Sequence, residues 1–154
     1  MDIEATIAWQ RQEHEPFRDS RYSRGHTWRF DGGAEVAASS SPHIVPLPFS
    51  VAAHVDPEEA FVASLSSCHM LVFLGLAAKR GFVVNRYADR AVGVMEKNAR
   101  GRLAITRVTL HPRVAYEAGA APDPQAEAQL HHAAHEQCFI ANSVLTVVET
   151  QIER

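Results

Sequence analysis

Two cysteines, Cys68 and Cys138, are the residues of this chain best suited to chemistry. Cys68 lies in an otherwise apolar stretch, directly after Ser66 and Ser67 and directly before His69. The thiolate is the nucleophilic form of cysteine, and a helix N-terminus or a nearby cation favours it. A helix break at the two serines would supply such a terminus, because serine hydroxyls can bond to the backbone. A lone cysteine in an apolar stretch is otherwise a small buried side chain, and these neighbours favour thiol chemistry over that alternative.

The stretch around the first cysteine predicts a long buried helix over residues 56–81. Asp56 is expected to cap it, Pro57 suits its first position and Glu59 completes a capping box. Gly81 supplies the C-terminal stop. Apolar residues cover nearly every face in between, and such a helix is buried either by its own fold or by a partner. Its serines, histidine and acidic cap argue against a membrane span, because each polar group would need a partner in lipid.

The rest of the chain predicts strands and a second helix. The expected strands cover residues 3–9 (half-buried, from their alternation), 26–30, 34–38, 83–87, 91–96, 103–110, 114–116 and 144–152. Asp31-Gly32-Gly33 is a hairpin turn signal between the second and third strands. Asp123 and Pro124 predict the start of the second helix, which runs to about Gln137. This order is typical of an α+β fold, with a mainly antiparallel sheet and a long buried central helix, in one domain over residues 1–154.

Composition narrows the classes of partner and compartment. The net charge of −3 gives no electrostatic reason to expect nucleic acid or an anionic membrane as partner. The acidic, alternating start differs from a signal or transit peptide. Two cysteines are too few for a disulfide scaffold. We therefore expect a cytoplasmic protein whose disulfide, if it forms one, is redox-active.

Specific residues make the chain resemble the OsmC/Ohr family of thiol-dependent peroxidases. They are Asp56-Pro57-Glu58, the apolar and small residues that lead to Cys68, and Cys138 just after a helix rich in alanine and histidine. The order of strands and helices also fits, so the resemblance covers nearly the whole chain. Phe139 follows the second cysteine where Ohr proteins usually have proline. The resemblance is therefore stronger to the OsmC-like members than to the Ohr branch.

The resemblance implies a role for each site residue. Cys68 matches the peroxidatic cysteine, which becomes a sulfenic acid, and Cys138 matches the resolving cysteine, which condenses with it to a disulfide. Glu58 matches the family carboxylate, and an N-terminal arginine that binds both the carboxylate and the thiolate is expected at Arg24. Two further arginines compete for this role, Arg18 and Arg21. A fixed guanidinium would stabilise the thiolate and the charge that develops on the leaving oxygen.

The spacing of Glu58 and Cys68 raises a geometric difficulty. Ten residues of unbroken helix advance about 15 Å, which excludes a direct contact. The helix must bend at the serines, or Arg24 must bridge the gap, or a second subunit must complete the site. A homodimer with a tightly shared core, which the resemblance also implies, would in addition cover the apolar helix.

The expected activity is the reduction of hydroperoxides, organic ones above all, to alcohols, with no cofactor. A dithiol reductant (lipoyl, thioredoxin-like or a small thiol) would recycle the enzyme. One alternative is a non-catalytic, redox-sensing or small-molecule-binding dimer on the same fold. Another is a zinc-binding stress protein, because histidine and cysteine at helical spacing can hold Zn²⁺. The residues behind that alternative are His69, His131, His132, His135 and Cys138.

Overall fold

The computed structural model describes residues 1–154 and confirms the α+β class. Its helices are α1, Pro57–Lys79, and α2, Pro124–Gln137. The strands are β1, Ala5–Ala8; β2, His26–Phe30; β3, Glu35–Ala38; β4, Val84–Asp89; β5, Val92–Lys97; β6, Leu103–Leu110; β7, Pro112–Tyr116; and β8, Val147–Thr150. The chain divides into two compact units, Met1–Ala60 and Phe61–Arg154. The expectation of a single domain stays a prediction.

The first unit contains a three-stranded antiparallel sheet in the order β1-β2-β3. The hairpin between β2 and β3 turns at Asp31-Gly32-Gly33 as predicted, and Gly33 adopts a φ of +87° that favours glycine. The half-buried strand predicted at 3–9 is shorter, Ala5–Ala8, and all four of its residues are exposed. The prediction of a half-buried strand is wrong because no other part of this chain covers either face of β1.

The ends of α1 are fixed by the local signals in the sequence. The Glu59 backbone N–H donates to the Asp56 carboxylate at 2.8 Å, and the Asp56 N–H donates to the Glu59 carboxylate at 3.3 Å, which is a reciprocal capping box. At the other end Gly81 has a φ of +81°. The Phe82 N–H reaches the Ala77 carbonyl there at 3.0 Å, the longer bond of a Schellman motif.

Only one stripe of α1 is buried within the chain. Its members are spaced four residues apart: Leu65, His69, Phe73 and Ala77. A second stripe at the same spacing is exposed: Ala63, Ser67, Leu71 and Gly75. Length and composition would also suit α1 to a membrane, a test that core helices of soluble proteins pass as well. The central helix is therefore buried on one side by this chain and apolar but uncovered on the other.

The second unit contains two sheets, most of α1 and the whole of α2. One sheet is the antiparallel pair β4-β7, and the other has the order β5-β6-β8. The β8 strand runs parallel to β6, so the expectation of mainly antiparallel pairing has this one exception. As predicted, Asp123 caps α2, and its carboxylate accepts the Ala126 N–H at 2.7 Å. Pro124 is the first residue of the helix.

Candidate active site

The two cysteines meet in the second unit although 70 positions separate them in the chain. Cys68 lies in the middle of α1 and is partly exposed, whereas Cys138 directly follows α2 and is 1 % exposed. Both are free thiols, and they lie close enough for Cys68 to influence the pKa of Cys138. A contact between the end of α2 and the middle of α1 therefore brings together the only two sulfur nucleophiles of the chain.

The surroundings of Cys138 keep its proton in place. Burial raises the pKa of the Cys138 thiol above its ordinary value, and the neighbouring Cys68 thiol raises it further. The Ala141 N–H, which donates to the Cys138 sulfur at 3.4 Å, acts weakly in the opposite direction. Cys138 is thus held in its protonated form.

A short 3-10 helix, Ala141–Ser143, holds the Cys138 end of α2 and was not predicted from the sequence. The Asn142 side-chain amide donates to the carbonyls of Glu136 at 2.8 Å and Cys138 at 3.0 Å. These bonds satisfy carbonyl groups that the end of α2 would otherwise leave without partners. The backbone on both sides of the Cys138 sulfur is therefore tied down.

The helix break considered at Ser66 and Ser67 is absent, because α1 is continuous from Pro57 to Lys79. The Ser66 hydroxyl donates instead to the Asp89 carboxylate on β4 at 2.5 Å. The second oxygen of Asp89 accepts the His111 N–H at 2.6 Å. Ser66 therefore ties α1 to β4, and Cys68 has no helix terminus beside it.

A buried pair of histidines joins α1 to α2. His69 Nε2 and His131 Nδ1 are 2.9 Å apart, and the two side chains are 1 % and 2 % exposed. Burial lowers the pKa of each imidazole from 6.5 to about 4, since the charged form loses its solvation. The Asp89 charge works against the shift at His69, and His135 adds to it. Both rings are therefore neutral at pH 7.

This pairing changes the interpretation of the histidine-rich helix. A cavity of about 290 Å³ beside β8 is lined by His131, His132 and His135. One ring nitrogen of His131 is already hydrogen-bonded to His69. His132 lies 3.4 Å from the Glu136 carboxylate on the helix surface. No three histidine, cysteine or acidic side chains converge as ligands would. The geometry gives the zinc alternative no ligand set.

Arg24 and Glu58 both line one cavity of the first unit, about 460 Å³ in volume. Arg18 and Arg21, the rival arginines, do not line it. The cavity is mainly apolar, and its remaining walls are Ile7, Trp9, Phe17, Tyr22, His26, Ser39, Ser40 and Pro57. A volume of this size is typical of small-molecule sites. The two polar residues expected from the sequence thus lie at one concave apolar surface.

Hydrogen bonds and an aromatic ring hold the Arg24 guanidinium in place. Its Nη1 donates to the backbone carbonyls of Ser20, at 2.7 Å, and Tyr22. Its planar group lies 3.8 Å from the centre of the Tyr22 ring. No ion pair joins it to Glu58, so a bridge between this carboxylate and a thiolate stays a prediction. The fixed orientation leaves the other guanidinium nitrogens without a protein acceptor.

Two aromatic residues and one histidine of this cavity, Phe17, Tyr22 and His26, were not assigned to a pocket from the sequence. The rings of Trp9, Phe17 and Tyr22 contact each other, with Phe17 and Tyr22 stacked at 4.7 Å. The His26 ring accepts the Trp28 indole N–H at Nε2, so its Nδ1 carries the proton and donates to the Arg24 carbonyl at 2.7 Å. The one signal in the sequence was that His26 and Trp28 are two positions apart in a predicted strand, which places both side chains on the same face.

Comparison with known proteins decides the family. A family model described as OsmC-like protein matches residues 51–153. The chain belongs to the OsmC-like family. No curated protein matches it in sequence. An OsmC-like protein of unknown function from Vibrio cholerae is 53 % identical, with 99 % of each chain covered and a TM-score of 0.97.

More distant solved structures share the fold. An organic hydroperoxide resistance protein from Elizabethkingia anophelis is 16 % identical, covers 99 % of this chain and 94 % of its own, and gives a TM-score of 0.71. The organic hydroperoxide resistance protein of Bacillus subtilis is 17 % identical over 99 % of this chain and 98 % of its own, with a TM-score of 0.66. The expected resemblance and fold class are confirmed, and the roles of the site residues stay predictions.

Proposed function

We propose that this OsmC-like protein is a two-cysteine peroxidase that reduces organic hydroperoxides. The observation that carries the proposal is that the Cys68 and Cys138 thiols lie close enough for Cys68 to raise the pKa of Cys138, in a member of this family. In the first step the Cys68 thiolate attacks the terminal oxygen of the hydroperoxide. The O–O bond breaks, Cys68 becomes a sulfenic acid, and the departing alkoxide takes up a proton to become an alcohol.

In the second step Cys138 attacks the sulfenic sulfur of Cys68. Its proton leaves with the sulfenic hydroxyl as water, and a disulfide forms between the two sulfurs. The raised pKa of Cys138 suits this order, because a protonated neighbour does not compete for the peroxide. An external dithiol then reduces the disulfide by exchange and is itself oxidised to a disulfide.

The proposal gives Arg24 and Glu58 supporting roles. Arg24 would stabilise the thiolate and the negative charge on the leaving oxygen, and its fixed guanidinium keeps donors free for this purpose. Glu58 would orient the arginine. The apolar walls of the cavity that both residues line suit the organic part of a hydroperoxide better than water.

The proposed partners are a second copy of the chain and the dithiol donor, in the cytoplasm, without nucleic acid or membrane. The homodimer is supported by the exposed stripe of α1, where Leu71 is 63 % exposed among small residues. Small residues allow a second helix to approach closely. A large apolar residue exposed on a central helix is typical of a surface that a partner covers.

A sulfenic-acid trap tests the mechanism. Cys138→Ser should react once with cumene hydroperoxide and then be labelled at Cys68 by a dimedone probe, while Cys68→Ser should give no label. Excess peroxide should carry the unresolved sulfenic acid on to the sulfinic state. Cys138→Ser that turns over normally with a dithiol would contradict the resolving role. Retention of both thiols by wild-type protein under peroxide would instead favour the non-catalytic binder.

A further inference from the structure

The hydrogen bond between His69 and His131 is the one side-chain hydrogen bond that joins α1 to α2. The two rings are nearly parallel, at 9°, and His131 also stacks on Phe73 with centroids 4.3 Å apart. Stacking and hydrogen bonding together leave the His131 ring little freedom to slide along α1. The pair therefore fixes one helix against the other both in direction and in axial position.

Stability alone does not account for this pair. Three polar atoms of the same cluster are buried without a partner: His69 Nδ1, His131 Nε2 and the Tyr87 hydroxyl. Such atoms lose their solvation without compensation, whereas two apolar side chains of similar volume would leave nothing unpaired. A buried polar contact that stability does not require can still be retained because it selects one arrangement of its elements.

The position of the pair relative to the thiols indicates what it selects. Cys68 directly precedes His69 on α1, and Cys138 follows the last residue of the helix that carries His131. A one-residue slide of α2 would move its end by about 1.5 Å. Disulfide formation requires Cα atoms about 4.4–6.8 Å apart and aligned sulfurs, so a shift of that size would disrupt it. The first reaction with peroxide does not involve Cys138 and is insensitive to this register.

We propose that His69 and His131 are positioning residues for the disulfide-forming step. Their hydrogen bond sets the register of α2 on α1 at which the Cys138 sulfur meets the Cys68 sulfenic acid. The inference rests on the proposed two-cysteine function, and it assigns to the histidines no contact with peroxide or with the sulfurs.

Two double variants of identical composition test the proposal. An asparagine amide takes the place of Nδ1 and a glutamine amide that of Nε2, so His69→Gln with His131→Asn preserves the hydrogen bond. The swapped pair, His69→Asn with His131→Gln, carries the same two amides, but neither amide lies where the hydrogen-bonding nitrogen of the original histidine was. A third pair, His69→Leu with His131→Leu, keeps the apolar packing without any hydrogen bond.

The expected result separates the two chemical steps. After one equivalent of cumene hydroperoxide, all variants should form the Cys68 sulfenic acid within twofold of the wild-type rate. Disulfide formation should stay near wild type in the matched pair and fall by about tenfold in the swapped and leucine pairs, the size expected of a small misplacement. The leucine pair should unfold at a urea concentration equal to or above that of wild type. Loss of resolution without loss of stability is a result that a merely structural role does not give.

A second measurement works without peroxide. The fraction of disulfide-bonded protein in buffers of oxidised and reduced dithiol should be shifted toward the thiol form in the swapped pair relative to the matched pair. Equal disulfide formation by the matched and swapped pairs in both measurements would overturn the inference and leave the peroxidase proposal standing. Absence of a sulfenic acid in wild-type protein would instead overturn the peroxidase proposal. If a variant does not fold, the dithiol comparison of the remaining variants with wild type decides the question.

Discussion

The buried histidine pair should make the protein lose stability as pH falls from 7 to 5. The pKa of both imidazoles is depressed in the folded state, from 6.5 to about 4, so the unfolded chain binds more protons than the native one between these values. The free energy of unfolding therefore decreases as pH falls through this window. A single histidine with these two pKa values costs about 2 kcal/mol at pH 5, relative to pH 7.

The two histidines together should cost up to about 4 kcal/mol, twice the cost of one. The measurement is urea unfolding at pH 7 and pH 5, at constant ionic strength and fixed protein concentration. The urea midpoint of wild type should fall by about 1–2 M more than that of the matched pair, which has no imidazole at either position. His132→Gln is the matched control, because the His132 side chain is 74 % exposed, and its pH response should equal that of wild type. An equal pH response in wild type and the matched pair would refute the reasoning.

Three further predictions concern other parts of the structure. Arg24→Lys should fold normally and slow peroxide reduction by about tenfold or more in stopped-flow assays, because lysine lacks the planar guanidinium group. Arg21 does not line the cavity, so Arg21→Lys should leave the rate unchanged. The reverse pattern would show that Arg21, and not Arg24, has the proposed role. Asp56→Ala should lower the free energy of unfolding by about 1 kcal/mol through loss of the cap, measured by urea denaturation, and no change would mean that the capping box is not stabilising. Sedimentation at low micromolar concentration should give twice the 17.0 kDa chain mass, and a soluble monomer there would contradict the homodimer.

Local signals account for the parts of the fold that the sequence predicted. The caps of both helices depend on residues within four positions of each other, as at Asp56 with Glu59 and at Asp123 with Ala126. The hairpin turn at Asp31-Gly32-Gly33 is equally local. Strand direction is not local: nothing in the Val- and Thr-rich final strand indicated that β8 would run parallel to β6. Alternation of residue types indicates which side chains lie on each face of a strand, but it does not indicate which strand lies beside it or in which direction that strand runs.

The candidate site shows the same division. Helical spacing made His135 and Cys138 the visible partners of His131, whereas its actual partner, His69, lies 62 positions away. The Ser66 hydroxyl, considered from the sequence as a group that could stabilise a helix break, bonds to Asp89 instead. Tertiary contacts of this kind have no signature in the spacing of a single chain. The pairing of the two cysteines was expected only because the chain resembles a known family.

The central claim is that peroxide links Cys68 to Cys138. The most direct measurement is the intact mass of reduced protein after one equivalent of cumene hydroperoxide under denaturing, thiol-blocking conditions, followed by peptide mapping. The account predicts the loss of the mass of two hydrogens, no alkylation of either cysteine, and one cross-linked peptide that contains Cys68 and Cys138 of the same chain. Two alkylated cysteines, with no other change in mass, would contradict it.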